Sequence, residues 1–188
     1  MKNNLIIFFL ITTVQIAMSQ KKDTCYAGVY ITRNNFIENR LSDIININEK
    51  GNELKFSFPA VKMILKIRTP DTTVIFKPGS IYAYNECGNV YRYSPGGELY
   101  APKDYYKIKE KGALIIYSSV FWGSAEYFYS VTSVSPIHRL NMRNLQFDFK
   151  SNPEFIEAAR KLKSASLDGL YAKDKEGHFM LNKIYRKN

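Results

Sequence analysis

The sequence has 188 residues, of which 45% are hydrophobic and 14% aromatic, so the chain is long and apolar enough to bury one hydrophobic core. This composition excludes global disorder. The formal charge is +10, from 27 Lys and Arg residues against 17 Asp and Glu residues, and this excess favours anionic partners unless it serves solubility alone.

The first 19 residues have the pattern of a cleaved secretory signal peptide. Lys2 supplies one positive charge, an apolar run follows over residues 5–11, and Ala17 and Ser19 fit the small-x-small site that signal peptidase cleaves. The alternative is a membrane anchor, but a spanning helix needs about 20 predominantly apolar residues, and this run is shorter. We therefore expect an exported protein, either periplasmic or secreted.

Both cysteines, Cys25 and Cys87, lie after the predicted signal peptide. In an oxidising compartment an isolated pair of cysteines favours a disulfide. The bond would close a loop of about 60 residues and stabilise the fold by roughly 4 kcal/mol. Two unpaired thiols are the alternative. Because charged and polar residues precede Cys25, we do not expect it to carry a lipid.

Alternating apolar and polar residues predict a series of short strands. Before them, Thr32 can cap a helix that runs to about Arg40. Residues 45–58 alternate on either side of a turn at 49–52, which predicts a hairpin with one apolar face. Further strands, separated by Gly and Pro turns, are predicted over 62–68, 72–76, 81–84 with 90–93 as a second hairpin, 105–109, 113–119 and 126–131.

The spacing of apolar residues along the sequence changes near residue 137, where predicted helices replace predicted strands. Asn141 can cap one short helix, Asn152 can cap a second, and a third spans about 178–185. Strands first and helices last predict an α+β fold: a mostly antiparallel β meander, rolled or sandwiched, followed by two or three short C-terminal helices. We expect residues 20–188 to form this fold as a single domain.

Part of the chain resembles a known group of proteins. The run AGVYITRNNFIENRLS, from Ala27 to Ser42, resembles the opening of the mature domain in a group of uncharacterised exported proteins of Bacteroidota, which has a GVYLT…F…LS segment. The strand at 91–93, the strand at 126–130 and the stretch 137–145 are also similar. The resemblance implies an exported β-rich domain and carries no catalytic residue to this chain.

No constellation in the sequence matches a named catalytic or metal-binding chemistry. His138 and His178 lie outside any zinc-ligand spacing, and no HExxH or CxxC motif occurs. Cys87 and His138 are formally a thiol–imidazole pair, although a disulfide explains Cys87 more simply. Glu126 lies in an aromatic segment where burial could tune a carboxylic acid, but an ion-paired glutamate is the simpler interpretation. We expect no catalytic residue, no metal and no cofactor.

Two of the predicted strands alternate basic with apolar residues, which would place the basic side chains of each strand on one outer face. Side by side in a sheet they would form a cationic stripe, and nearby tyrosines would add flat contact surfaces. The alternative is that these lysines protect exposed strand edges against aggregation. The candidate binding residues are Lys62, Lys66, Arg68, Lys107, Lys109, Tyr91 and Tyr93.

Three hypotheses for the function remain open. The first is a non-enzymatic binding module, in the envelope or secreted, that engages an anionic glycan, a lipid headgroup or a protein partner. The second is an envelope hydrolase of unrecognised type, and the third is a structural accessory of an envelope complex. Nucleic acid is not an expected partner for an exported chain, and no membrane span is expected after the signal peptide.

Overall fold

The computed structural model describes residues 24–57, 64–97, 101–121, 124–165 and 168–187, so the predicted signal peptide lies outside the described residues. The strands are β1 (Tyr26–Tyr30), β2 (Ser42–Asn46), β3 (Glu53–Ser57), β4 (Ile64–Arg68), β5 (Thr73–Phe76), β6 (Ala83–Glu86), β7 (Asn89–Ser94), β8 (Asp104–Lys111), β9 (Ile115–Phe121), β10 (Ser124–Ser130) and β11 (His138–Arg139). The helices are α1 (Arg33–Ile37), α2 (Met142–Asp148), α3 (Pro153–Ala165) and α4 (Met180–Lys187), with a 3-10 turn at Gly169–Tyr171. None of these helices is long and apolar enough to cross a bilayer.

Eight of the described strands form one antiparallel sheet, the main sheet, in the order β11-β10-β9-β8-β7-β6-β1-β2. From β6 to β11 each strand pairs with the next one along the chain, as in a meander, and β1 pairs with β6 at the far end. The helices α2, α3 and α4 follow the last strand. The fold is therefore α+β, with a mostly antiparallel meander before short C-terminal helices, as the sequence predicts.

Both faces of the main sheet are buried. The first face packs against the strands β3, β4 and β5 at one end of the sheet and against the C-terminal helices at the other. The second face packs against α1 and against the connection from β10 to β11, residues 131–137, which we call the strap. Because both faces are covered, bulky side chains alternate along the strands, and burying each one contributes about 1.5–3 kcal/mol. Fully buried examples are Ile116 and Tyr129 on the first face, and Tyr117 and Phe128 on the second.

The strands β3, β4 and β5 form a second, three-stranded antiparallel sheet, the small sheet. The hairpin predicted over residues 45–58 is wrong, because β2 pairs with β1 whereas β3 pairs with β4. The residues between β2 and β3 instead form a corner. The Asn52 side chain donates to the Asn46 carbonyl at 2.9 Å, and the Ile47 N–H donates to the Cys25 carbonyl at 2.9 Å. These hydrogen bonds pair polar backbone groups of the corner, although β2 and β3 do not pair with each other.

A disulfide between Cys25 and Cys87 joins the start of β1 to the turn between β6 and β7, across 62 residues of sequence. The predicted disulfide is therefore confirmed. The second predicted hairpin is also confirmed, because β6 and β7 pair around a two-residue turn, Cys87-Gly88. Both turn residues have positive φ, 50° and 81°, as a type I′ turn requires. The Cys87 N–H donates to the Tyr26 carbonyl at 3.0 Å.

Three predicted N-caps are confirmed. The Thr32 side chain accepts a hydrogen bond from the Asn35 N–H at 3.1 Å, and the Asn35 side chain accepts from the Thr32 N–H at 3.1 Å. Asn141 and Asn152 each accept from the backbone N–H three residues further on, at 2.9 and 3.0 Å. The helix α1 ends before its predicted end, because Asn39 has a φ of 53°, in the left-handed region.

Two buried polar side chains fasten α4 to the turn between β8 and β9. The Asn182 carbonyl oxygen accepts from the Leu114 N–H at 2.7 Å, and its amide donates to Glu110 Oε1 at 2.6 Å. The other oxygen of Glu110 accepts from the Phe179 N–H at 2.9 Å. At Gly112 an added Cβ would lie 2.4 Å from the amide nitrogen of Asn182. The close approach of the turn to the helix therefore requires glycine there.

The double variant Cys25→Ser/Cys87→Ser tests the contribution of the disulfide. With a sequence separation of 62 between the cysteines, we expect its free energy of unfolding to fall by roughly 4 kcal/mol, because the unfolded chain regains loop entropy. Urea denaturation of the variant and of the oxidised protein measures the difference, and reducing the unaltered protein serves as the control. A loss below about 1 kcal/mol would contradict the prediction.

Asn182→Ala tests the attachment of α4. The change leaves the Leu114 N–H and one Glu110 oxygen without their partner, so we expect the free energy of unfolding to fall by about 2–3 kcal/mol. The exposed Asn34, on α1, offers a matched Asn34→Ala control that should change it by less than about 0.5 kcal/mol. Equal losses in the two variants, measured by thermal unfolding, would contradict this role for Asn182.

Candidate anion-binding surface

The two faces of the small sheet differ in chemistry. Its inner face carries apolar side chains that pack against the main sheet. The alternation along the three strands places charged side chains on the opposite, outer face. We call Lys55, Lys66 and Arg68, together with Ile75 beside them, the basic face. The inner side chains are Leu54, Phe56, Leu65, Ile67 and Phe76.

The strand register places the cations of the basic face next to one another. Lys55 on β3 lies directly opposite Lys66 on β4, and Lys66 lies opposite Ile75 on β5. Directly opposed side chains in an antiparallel pair have Cβ atoms roughly 5 Å apart, and like charges in that position destabilise the sheet. Arg68 is on the same strand as Lys66, two residues further on, and its cross-strand neighbour is Glu53. The face therefore combines three cations with one carboxylate.

The side chains of the basic face differ in exposure. Lys55 and Arg68 are exposed, whereas Lys66, on the central strand, is half-buried between its neighbours. Ile75 is 55% exposed and adds an apolar side chain to this face. The combination offers a partner both positive charge and an apolar contact. Salt weakens such exposed charges, because the screening length is about 8 Å at physiological ionic strength.

The predicted binding residues do not form one surface. Lys66 and Arg68 lie on the basic face, and Lys62 lies outside the described residues. Lys107 and Lys109 are on β8, which belongs to the main sheet. The expectation that the two basic strands lie side by side is therefore wrong. The chain folds β3, β4 and β5 into a separate sheet, and the neighbours of β8 are β7 and β9.

The predicted tyrosines lie on the first face of the main sheet. Tyr91 is half-buried and stacks on Tyr84, with ring centroids 4.5 Å apart. Tyr93 is also half-buried and packs against Tyr105 at 5.1 Å. Lys107 is half-buried and is the cross-strand partner of Tyr91. Burial raises the pKa of Tyr91. These side chains belong to the packing between the two sheets, and the basic face is on the far side of the small sheet.

Arg92 was not among the predicted candidate residues. It lies between Tyr91 and Tyr93 on β7, so its side chain projects from the second face of the main sheet, where it is only 4% exposed. A sequence signal does exist. A charged residue in an alternating aromatic strand that is buried on both faces must itself be buried, and buried charges are rare. The signal becomes readable only once both faces are known to be covered.

The remaining reactive side chains have structural partners. Cys87 is in the disulfide and cannot act as a nucleophile. Glu126 accepts a hydrogen bond from Arg139 at 2.7 Å. His138 Nδ1 lies 2.7 Å from an oxygen of Asp148, a contact that ties β11 to α2. Among the described residues, no three His, Cys, Asp or Glu side chains are grouped closely enough to hold a metal ion.

Comparisons with protein families, with curated proteins and with solved structures found no match for this chain. No residue role is therefore carried over from another protein, and the chemistry of the basic face and of Arg92 follows from the geometry described above.

Proposed function

We propose that the protein is an exported, non-enzymatic binding module that engages an anionic partner through the basic face. The observation that carries the proposal is the direct cross-strand pair of Lys55 and Lys66, with Arg68 on the same face. Opposed like charges lower the stability of a sheet, and a partner that places negative groups between them removes that repulsion. An anionic glycan, a lipid headgroup and an acidic protein share this recognition chemistry.

Two further observations support the proposal. The exposed Ile75 lies opposite Lys66 and would give a partner bound there an apolar contact. The disulfide supports the exported location, because such bonds persist in oxidising compartments outside the cytosol. The N-terminal sequence pattern points to the same location.

The triple variant Lys55→Gln/Lys66→Gln/Arg68→Gln tests the basic face. Each Lys or Arg near an anionic surface contributes about 1 kcal/mol of binding, so we expect the triple variant to bind on the order of 100-fold more weakly. Binding is measured with vesicles that contain an anionic lipid, with a soluble sulfated polysaccharide and with an acidic polypeptide, each at low and high salt. The probe with the highest affinity identifies the partner class.

A charge-matched control separates a local surface from net charge. Arg143→Gln/Lys150→Gln/Lys175→Gln removes the same three charges from exposed positions elsewhere in the chain. We expect this control to bind within about threefold of the unaltered protein, because exposed charges more than a Debye length away are largely screened. If both triple variants lose affinity equally, or if no anionic probe binds at low salt, the proposal is wrong.

Lys55→Glu should raise stability while it lowers anion binding. The change replaces a like-charge pair with an opposite-charge pair across β3 and β4, so we expect the free energy of unfolding to rise by about 0.5 kcal/mol. Affinity for the anionic probe should fall in the same variant, as is common where a surface is selected for binding at the expense of stability. A variant that is less stable than the unaltered protein in urea denaturation would contradict the register argument.

A further inference from the structure

Arg92 is a buried charge held by neutral groups. Its Nη1 donates to the Tyr117 hydroxyl at 2.8 Å and to the Ser130 hydroxyl at 3.2 Å, and its Nη2 donates to the Ser135 carbonyl at 2.5 Å. The guanidinium carbon lies 5.3 Å from the centroid of the Tyr82 ring. These contacts orient the guanidinium, but none of them supplies a negative charge.

The positive charge of Arg92 has no counter-charge within the described residues. No Asp or Glu oxygen of the described chain lies within 4.0 Å of its nitrogens. Burial raises the pKa of Tyr82, so that hydroxyl stays neutral beside the arginine. The Arg92 Nε–H is buried and has no hydrogen-bond acceptor. An arginine stays charged in proteins, and burying an unpaired charge is costly.

The same side chain lines a cavity of about 330 Å³ between β7 and the strap. Apart from Arg92, the walls are mostly rings and aliphatic groups. This volume is at the lower end of the range of about 300–1,000 Å³ for small-molecule sites, so it suits a small molecule rather than a polymer. The other principal wall residues are Tyr82, Pro95, Val134, Pro136 and Ile137.

We propose that this cavity binds a small organic carboxylate, with the carboxylate on Arg92 and the apolar body against the strap. A guanidinium has five N–H donors, and the protein's own acceptors leave the Nε–H unused. A carboxylate supplies both the missing acceptor and the missing negative charge, and arginine matches its planar geometry. The apolar walls favour a ligand with a hydrocarbon body. A heavily hydrated anion would lose its hydration shell there without gaining hydrogen bonds from the walls in return.

The site is organised before any ligand arrives. The strap is held against the main sheet because the Tyr82 hydroxyl donates to the Ser133 carbonyl at 2.7 Å and the Ser130 hydroxyl donates to the Thr132 carbonyl at 2.8 Å. The Tyr117 and Ser130 hydroxyls are within 2.9 Å of each other and fix the end of Arg92. A ligand would therefore gain its contacts without ordering the strap.

The test uses the purified protein with hexanoate and phenylacetate as probes and with hexanamide and phenylacetamide as their neutral counterparts. Titration calorimetry measures affinity, and the NMR resonance of the Arg92 guanidinium reports on the proposed contact. We expect at least one carboxylate to bind and to shift that resonance. The matching amide should bind at least about tenfold more weakly.

One cavity variant and its matched control separate binding from folding. Val134→Phe places a larger side chain in the cavity wall and leaves Arg92 itself unchanged, and should weaken carboxylate binding at least about tenfold, with thermal unfolding confirming that the variant is folded. Its control, Val120→Phe, makes the same change at a position that is 73% exposed on β9, and should leave binding unchanged. Arg92→Lys keeps the charge but loses the planar fork, and should also weaken binding.

Three results would overturn the proposal. The first is the absence of carboxylate binding at about 10 mM, where a ligand with a dissociation constant of ~1 mM would be nearly saturating. The second is equal affinity for the amides, because the charge of Arg92 would then have no role. The third is equal affinity for inorganic phosphate, because the apolar walls would then not discriminate between ligands with and without a hydrocarbon body. None of these results bears on the basic face, which is a separate surface on the small sheet.

Discussion

The structure depends on tyrosine hydroxyls of the main sheet that donate hydrogen bonds to the segments covering it. The chain has 14 tyrosines, and several of them fill the two covered faces of this sheet. A buried hydroxyl without a partner costs roughly 1–3 kcal/mol. Several tyrosines beside or within the sheet therefore donate to neighbouring segments, and these bonds attach those segments to the sheet. Among the described residues, examples are Tyr30 to Asn39 after α1, Tyr82 to Ser133 of the strap, Tyr106 to Pro102, and Tyr129 to Asp148 of α2.

These attachments explain why a cation can lie inside the sheet. Arg92 joins the same arrangement, since its donors hold the strap through Ser135 and the sheet through Tyr117 and Ser130. A methionine or leucine would fill the space but would leave the Ser135 carbonyl without this donor. The arginine therefore has a structural role, and the donors that these three bonds leave unused are the basis of the proposed carboxylate site. The basic face differs, because no part of the packing requires Lys55 or Lys66 to be charged.

Local patterns made much of the fold predictable. The hairpin of β6 and β7 follows from a turn in which Gly88 accepts positive φ, and the caps at Thr32, Asn141 and Asn152 follow from short-range hydrogen bonds. Pairing between distant strands was not predictable in this way. Alternation shows that residues 45–58 contain two strands with apolar faces, but it does not say that the two strands join different sheets.

The residues of the candidate sites show the same contrast between local patterns and long-range contacts. Lys66 and Arg68 were predictable as outward-facing cations, because alternation along one strand places them there. Alternation also places Lys55 outwards, but its position opposite Lys66 was not predictable, since it depends on the pairing of β3 with β4. The role of Arg92 was not predictable from the sequence, because its hydrogen-bond partners are 25, 38 and 43 residues away in the sequence. A residue whose role is set by long-range contacts has no local signature.

The link between Cys25 and Cys87 also bears on how quickly the chain can fold. The small sheet, α1 and β2 all lie between β1 and β6 in the sequence, so β1 can pair with β6 only after the long loop between them closes. Such closures slow folding, because the entropy is lost before the non-local contacts form. Once the bond exists, β1 is already beside the β6–β7 hairpin, and the main sheet can grow outwards from that three-stranded nucleus. For a chain that refolds with this bond intact, we therefore expect the main sheet to form ahead of the small sheet enclosed by the loop.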